Sequence, residues 1–180
     1  MKARVNKIIP FSSVDGPGNR TAIFLQGCNI NCLYCHNPET RDKYGDPKIT
    51  TVTEMSDDEV LEQVKKQIPF VRGITVSGGE CMLQPDFLTE LFTKIKVLGL
   101  STMIDTNGTI DFADKQDLLA VTDGVLLDIK AFDSDTHRKI TGAGNETVLA
   151  NARFLASIGK LEEIRCVICP SLYDGRQSVK

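Results

Sequence analysis

Three cysteines crowd into eight residues at Cys28, Cys32 and Cys35, and no fourth stands near them. That shortage counts against a structural zinc site, which closes a tetrahedron with four ligands, usually in two separated pairs. His36 directly follows Cys35, and both side chains reaching one tetrahedral ion would strain the backbone. The distant pair Cys166 and Cys169 falls in an apolar run that reads as a buried strand. Size counts against a disulfide framework still more, since a chain of 180 residues with a full core has no need of one. No run approaches the roughly 20 apolar residues of a membrane span. The basic start, Met1-Lys-Ala-Arg-Val-Asn-Lys7, has no apolar stretch or cleavage site behind it, so it does not read as a secretory signal. Unpaired cysteines without such a signal point to a reducing cytoplasm. The formal charge is −3 with no basic stripe, which argues against nucleic acid as substrate.

What is present describes one soluble α/β domain with a real core. Residues 5–9 read as a short strand, and residues 21–26 as a second strand leading into the cysteine loop. Residues 41–55 are polar and turn-rich and read as an irregular connection. Ser56-Asp57-Asp58-Glu59 is a capping box ahead of a helix over residues 60–67. Strand and helix then alternate: strand 73–77, helix 85–98 closed by Gly99, strand 100–105, helix 112–120. Strand 124–129, helix 147–158 ended by Gly159 and strand 163–168 follow. Apolar strands separated by helices of this length predict βαβ units and a parallel sheet. His137 falls in a polar stretch over residues 133–139 and reads as an exposed helix residue.

The chemistry starts at the C-x3-C-x2-C loop. A cubane iron–sulfur cluster normally takes four thiolates. Three leave one iron with an open position, and open metal positions are where chemistry happens. In parallel barrels functional groups collect at the C-terminal ends of strands. The other suspicious motifs fall there: Ser77-Gly78-Gly79-Glu80, Asp105-Thr106-Asn107-Gly108 and Asp128-Ile129-Lys130. Gly78 and Gly79 remove side chains where a ligand could approach bare backbone, although a plain strand-to-helix turn explains the same pair. Asp105 and Asp128 end neighbouring strands and are expected side by side. Lys130, two residues past Asp128, shares its face. Arg165 sits in the last strand, where a buried arginine needs a partner. The turn Asp15-Gly16-Pro17-Gly18 precedes the cysteine strand, and Arg20 follows it.

The cysteine loop resembles the cluster motif of the radical S-adenosylmethionine (SAM) enzymes. Its surroundings narrow the likeness to the activating enzymes of glycyl radical enzymes. The resemblance rests on Val14-Asp15-Gly16-Pro17-Gly18-Asn19-Arg20, Phe24, Gln26-Gly27-Cys28 and Tyr34-Cys35-His36-Asn37-Pro38-Glu39. It implies a partial, open (β/α) barrel with parallel strands, a 4Fe-4S cluster on Cys28, Cys32 and Cys35, and bound SAM. It further implies that Gly78-Gly79-Glu80 holds the SAM amino group, and that Tyr34 and His36 lie against the adenine. Asp128 and Lys130 would lie against SAM, Asp105 and Asp128 would hold a monovalent cation between them, and Thr106 would belong to the same cofactor-binding pocket. Arg165 would meet the ribose or carboxylate. Asp15, Gly16, Gly18 and Arg20 would border the path of an incoming glycyl loop. The implied partners are a glycyl radical enzyme and a flavodoxin- or ferredoxin-type electron donor.

Many relatives carry a ferredoxin-like insertion with extra cysteines where residues 41–55 stand. None are present here, so no accessory cluster is expected. The chain supplies about five barrel strands where such barrels usually have six. It therefore reads as a single core domain lacking its last βα unit and a histidine that relatives use near SAM. Two alternatives stay open on the residues alone. One is a radical SAM enzyme acting on a small metabolite or an anaerobic ribonucleotide reductase. The other is a non-catalytic fragment that binds a cluster or zinc.

Overall fold

A computed structural model describes residues 1–173 of the chain. Its seven strands form one open sheet in the order β3-β1-β2-β4-β5-β6-β7. Five of them, β2 (Arg20–Leu25), β4 (Gly73–Gly78), β5 (Ser101–Thr106), β6 (Gly124–Asp128) and β7 (Leu161–Arg165), run parallel. Their C-terminal ends therefore share one edge, and every loop that leaves them emerges on that side. Two strands escape the expected parallel pattern. β1 (Lys2–Ser12) runs antiparallel to β2, and β3 (Thr53–Ser56) runs antiparallel to β1, inside the stretch expected to be irregular. β3 is four residues long and mostly polar, so it carries no alternation of its own and exists only because β1 offers it a ladder.

α1 (Asp57–Lys65), α2 (Pro85–Val97), α3 (Gln116–Val121) and α5 (Glu146–Ser157) contribute their apolar residues to the core against this sheet. α1 begins at the capping box, where Ser56 Oγ accepts from the Glu59 N–H and Glu59 accepts from the Ser56 N–H. α2 starts with Pro85 at its first position, where the missing N–H is no loss. It presses Leu88, Leu91, Phe92 and Ile95 onto Ile74, Val76 and Ile104 of the sheet. α3 is shorter than expected, and α5 matches its expectation closely. α4 (Ser134–Thr141) fills the polar stretch, capped by Asp133, whose carboxylate accepts from the Thr136 N–H. His137 on α4 is fully buried, against the expectation of exposure, because its Nδ1 lies 2.7 Å from the Ala143 carbonyl.

The opposite, concave face of the sheet is partly filled by residues 13–19. Asp15 accepts from Thr75 Oγ1 through its carbonyl, and Gly16 packs over Met103 and Leu126. A Cβ on Gly16 would stand 3.1 Å from the Met103 sulfur, and its φ of +111° suits only glycine. This loop plugs the lower half of the open barrel and leaves a cavity above it. β7 stops at Arg165, three residues earlier than expected. The next residues leave the ladder, so Cys166 and Cys169 are half-buried in irregular chain rather than in a strand.

Candidate active site

The cysteine loop leaves β2 and is fastened at both flanks by backbone. Gly27 and Cys28 donate to the carbonyls of Thr40 and Arg41 at 2.8 and 3.0 Å, which closes the loop on itself. Gln26 braces the closure through its side-chain amide, which donates to the carbonyls of Glu39 and Asp42. The middle of the loop is clamped by the C-terminal end of α4. There the carbonyls of Thr141 and Ile140 accept from Asn31 and Leu33 at 2.8 and 2.9 Å. These carbonyls are the orphan acceptors of a helix end, so the clamp satisfies both partners.

Cys28, Cys32 and Cys35 all open into one cavity of about 570 Å³. Burial pushes the Cys28 and Cys32 thiols up, with Lys130 opposing the effect at Cys32. Among the described residues no three His, Cys, Asp or Glu side chains converge as ligands of a single ion. A cubane does not ask for that, because its thiolates bind separate irons. Three soft sulfur donors on a braced loop at the wall of one cavity fit such a cluster. A further thiol, Cys166, lines the same cavity from the end of β7.

The cavity's other wall is charged. Asp105, Asp128, Lys130 and Arg165 all line it, as the strand ends predict. Lys130 Nζ lies 2.5 Å from Asp128 Oδ2, and Arg165 Nη1 lies 3.3 Å from Asp105 Oδ2. Ser77 adds a hydrogen bond to Asp105 at 3.0 Å. Burial, aided by the charge of Asp128, pushes Asp105 up to about 7 against the pull of Arg165. Burial alone would lower Lys130, but the Asp128 carboxylate outweighs it and the ammonium is held above its usual range. Arg165 also donates to the Val14 carbonyl at 3.0 Å, tying β7 to the plug loop. Asp15 lines the cavity beside Val14, while Gly16 and Gly18 lie below it, against Met103 and Arg72. Tyr34 lines the cavity half-buried, and one face of its ring is stacked on Tyr173 at 6.5 Å. His36 stands at the exposed rim.

Two sequence expectations change, at Glu80 and at Arg20. Glu80 does not face the cavity. It is 1% exposed, and its carboxylate accepts from the N–H groups of Met82 and Asn107 and from Thr106 Oγ1 at 2.7 to 2.9 Å. Burial pushes its carboxyl up, and those three donors oppose the shift. Glu80 is thus a strut between the ends of β4 and β5, and the Thr106 hydroxyl is committed to it. Gly78 and Gly79 line the cavity, and a second demand for glycine lies on their other side. A Cβ on Gly78 would stand 2.1 Å from the Leu25 carbonyl oxygen, and one on Gly79 2.3 Å from that of Gly27. The two loops touch backbone to backbone, which no side chain permits. Arg20 lies at the far end of the sheet, 1% exposed. Its guanidinium donates to the Ile74, Ser101 and Pro17 carbonyls and to two hydroxyls. It fastens strand starts rather than bordering the cavity. Asn107 was not singled out by the sequence, yet it lines the cavity and reaches the Cys28 sulfur. Its position within Asp105-Thr106-Asn107-Gly108, next to two candidate residues, was the only available signal.

The family model of the radical SAM superfamily matches residues 22–173. The pyruvate formate-lyase-activating enzyme of Streptococcus mutans is 44% identical over 179 residues, covering 94% of this chain and 66% of its own length. That of Clostridium pasteurianum is 37% identical over 181 residues, with 98% and 73% covered. The chain thus spans about two thirds to three quarters of the length of these relatives. Among solved structures, QueE from Escherichia coli superposes with a TM-score of 0.55 at 15% identity, over 96% of this chain and 86% of that one. That likeness is one of fold. The family model and these relatives show that the chain belongs to the glycyl radical enzyme activating enzymes of the radical SAM superfamily.

Proposed function

We propose that the chain is the core of an activase that takes a hydrogen atom from a backbone glycine of a partner glycyl radical enzyme. Membership in the family implies a 4Fe-4S cluster and SAM. The observation that carries the reading is a single cavity shared by all three motif cysteines, both acids and both cations. Cys28, Cys32 and Cys35 would hold the cluster, as the three motif thiols that open into the cavity. When bound, the cluster and SAM together supply one-electron cleavage of the sulfonium, giving methionine and a 5′-deoxyadenosyl radical able to take a hydrogen atom.

The chain's own residues bind, orient and exclude water. Lys130 and Arg165 offer fixed positive charge for the methionyl carboxylate, each already oriented by its acid. The backbone of Gly78 and Gly79 is free of side chains at the cavity wall and can accept from the ammonium. Tyr34 presents to the adenine the ring face that Tyr173 leaves open. A monovalent cation between Asp105 and Asp128 belongs to the same reading, tested by the dependence of SAM affinity on potassium or sodium. Asp15 at the cavity floor borders the approach of a glycyl loop.

Anaerobic incubation with SAM, a reductant and pyruvate formate-lyase, followed by electron paramagnetic resonance, tests the proposal. A glycyl doublet that vanishes in Cys28→Ala, Cys32→Ala and Cys35→Ala is expected. 5′-Deoxyadenosine without a doublet would favour a small-molecule substrate. Protein that takes up neither iron nor sulfide would defeat the enzyme reading altogether.

A further inference from the structure

We infer that the side-chain amide of Asn107 donates a hydrogen bond to the Cys28 sulfur and raises the reduction potential of the cluster held there. This rests on the cluster reading proposed above. Asn107 is 5% exposed, and its Nδ2 lies 3.9 Å from Cys28 Sγ, within reach of a large, soft acceptor. The same nitrogen donates to Asn29 Oδ1 at 3.0 Å.

The orientation of this amide has one solution. Asn107 Oδ1 accepts from the Thr109 N–H at 3.0 Å, and an N–H can only donate. The Thr109 hydroxyl also donates to Oδ1 at 2.6 Å, while accepting from Asn29 Nδ2 at 2.7 Å. Turning the amide over would set its NH2 against the Thr109 N–H and an oxygen against both Asn29 Oδ1 and the sulfur. The backbone of Asn107 is fixed as well, since its N–H donates to Glu80 Oε2 at 2.8 Å. The strut on Glu80 therefore holds the base of a donor that the Asn29–Thr109 network aims at the first cluster cysteine.

One-electron reduction of a cluster adds negative charge that spreads onto its sulfur ligands. A donor at such a sulfur stabilises the reduced form more than the oxidised form, so its removal lowers the potential. Asn107 acts through Cys28 and is a positioning and tuning residue, not a catalytic one.

The test is a dithionite-poised redox titration of the anaerobically reconstituted chain, read by electron paramagnetic resonance beside iron and sulfide content. Asn107→Ala is expected to load iron like the unaltered protein. Its equilibrium constant for reduction should fall about tenfold, which for one electron is 59 mV. Thr109→Val, which removes the hydroxyl bond to Oδ1 and leaves the Thr109 N–H and Asn29 bonds, should move in the same direction by less. It also decides the matter if Asn107→Ala fails to fold. A loaded Asn107→Ala with unchanged potential would overturn the inference and leave the activase reading standing. Failure of the unaltered chain to take up iron would remove both.

Discussion

Replacing Arg20 by Met separates two roles that the sequence leaves indistinguishable. The resemblance places Arg20 beside an incoming glycyl loop, whereas the structure buries it at the opposite end of the sheet. Its guanidinium donates to three main-chain carbonyls, those of Pro17, Ile74 and Ser101, and to the hydroxyls of Thr75 and Ser101. Methionine keeps the aliphatic stem and removes every donor. A buried acceptor left without its partner costs about 1–3 kcal/mol. Three carbonyls at the low end of that range give roughly 3 kcal/mol, and the two hydroxyls keep the bonds they already donate to the Asp15 and Arg72 carbonyls. Part of the loss is offset, because the guanidinium need no longer be desolvated; that desolvation pulls its pKa down to about 10. The expected net destabilisation is about 2–3 kcal/mol, a large share of the 5–15 kcal/mol that holds a typical domain folded. Arg20→Lys should recover little, since one ammonium cannot span the fork. Urea unfolding of the cluster-free protein measures the midpoint and slope. A midpoint unchanged in Arg20→Met, together with lost activation of the partner enzyme, would refute the structural role and restore the partner contact.

Gly79→Ala should drive its Cβ into the backbone oxygens of Gly27 and Thr40, at 2.3 and 2.7 Å. We expect a loss of at least about 2 kcal/mol and poor iron uptake, both absent if the two loops can part. Glu80→Ala strips the acceptor from two buried N–H groups and the Thr106 hydroxyl, and should cost about 3 kcal/mol in a thermal melt. Glu80→Gln should cost less, since it keeps one oxygen. At Asp57 burial would raise the carboxyl, but hydrogen bonds from Lys94 and the N-terminal amine hold it at about 2, below the usual 3.8. The stability it contributes, about 1–2 kcal/mol, is present above about pH 4 and is lost as pH falls toward 2. Acid unfolding of Asp57→Asn should lack that component, and an identical acid limb in both proteins would contradict the pairing.

The pattern of residues along the chain determined the helices and the inner strands. Pro85 and Gly99 bracket α2, the capping box opens α1, and short apolar runs mark β4, β5 and β6, all signals carried within a dozen residues. The three cysteines and the acids at strand ends were legible for the same reason, because their spacing and their place after a strand are local facts. Folding decided what depends on partners far away in sequence. Polar β3 became a strand only beside β1, and His137 was buried only because Ala143 turns back over it. Arg20 meets acceptors 54 and 81 residues on, and Glu80 meets Asn107 across the ends of two strands. An arginine in a motif or a glutamate after two glycines looks the same in the sequence whether it faces a ligand or a neighbour's carbonyl. The direction of a side chain is set by the twist and register of the sheet that carries it, and that register exists only in three dimensions.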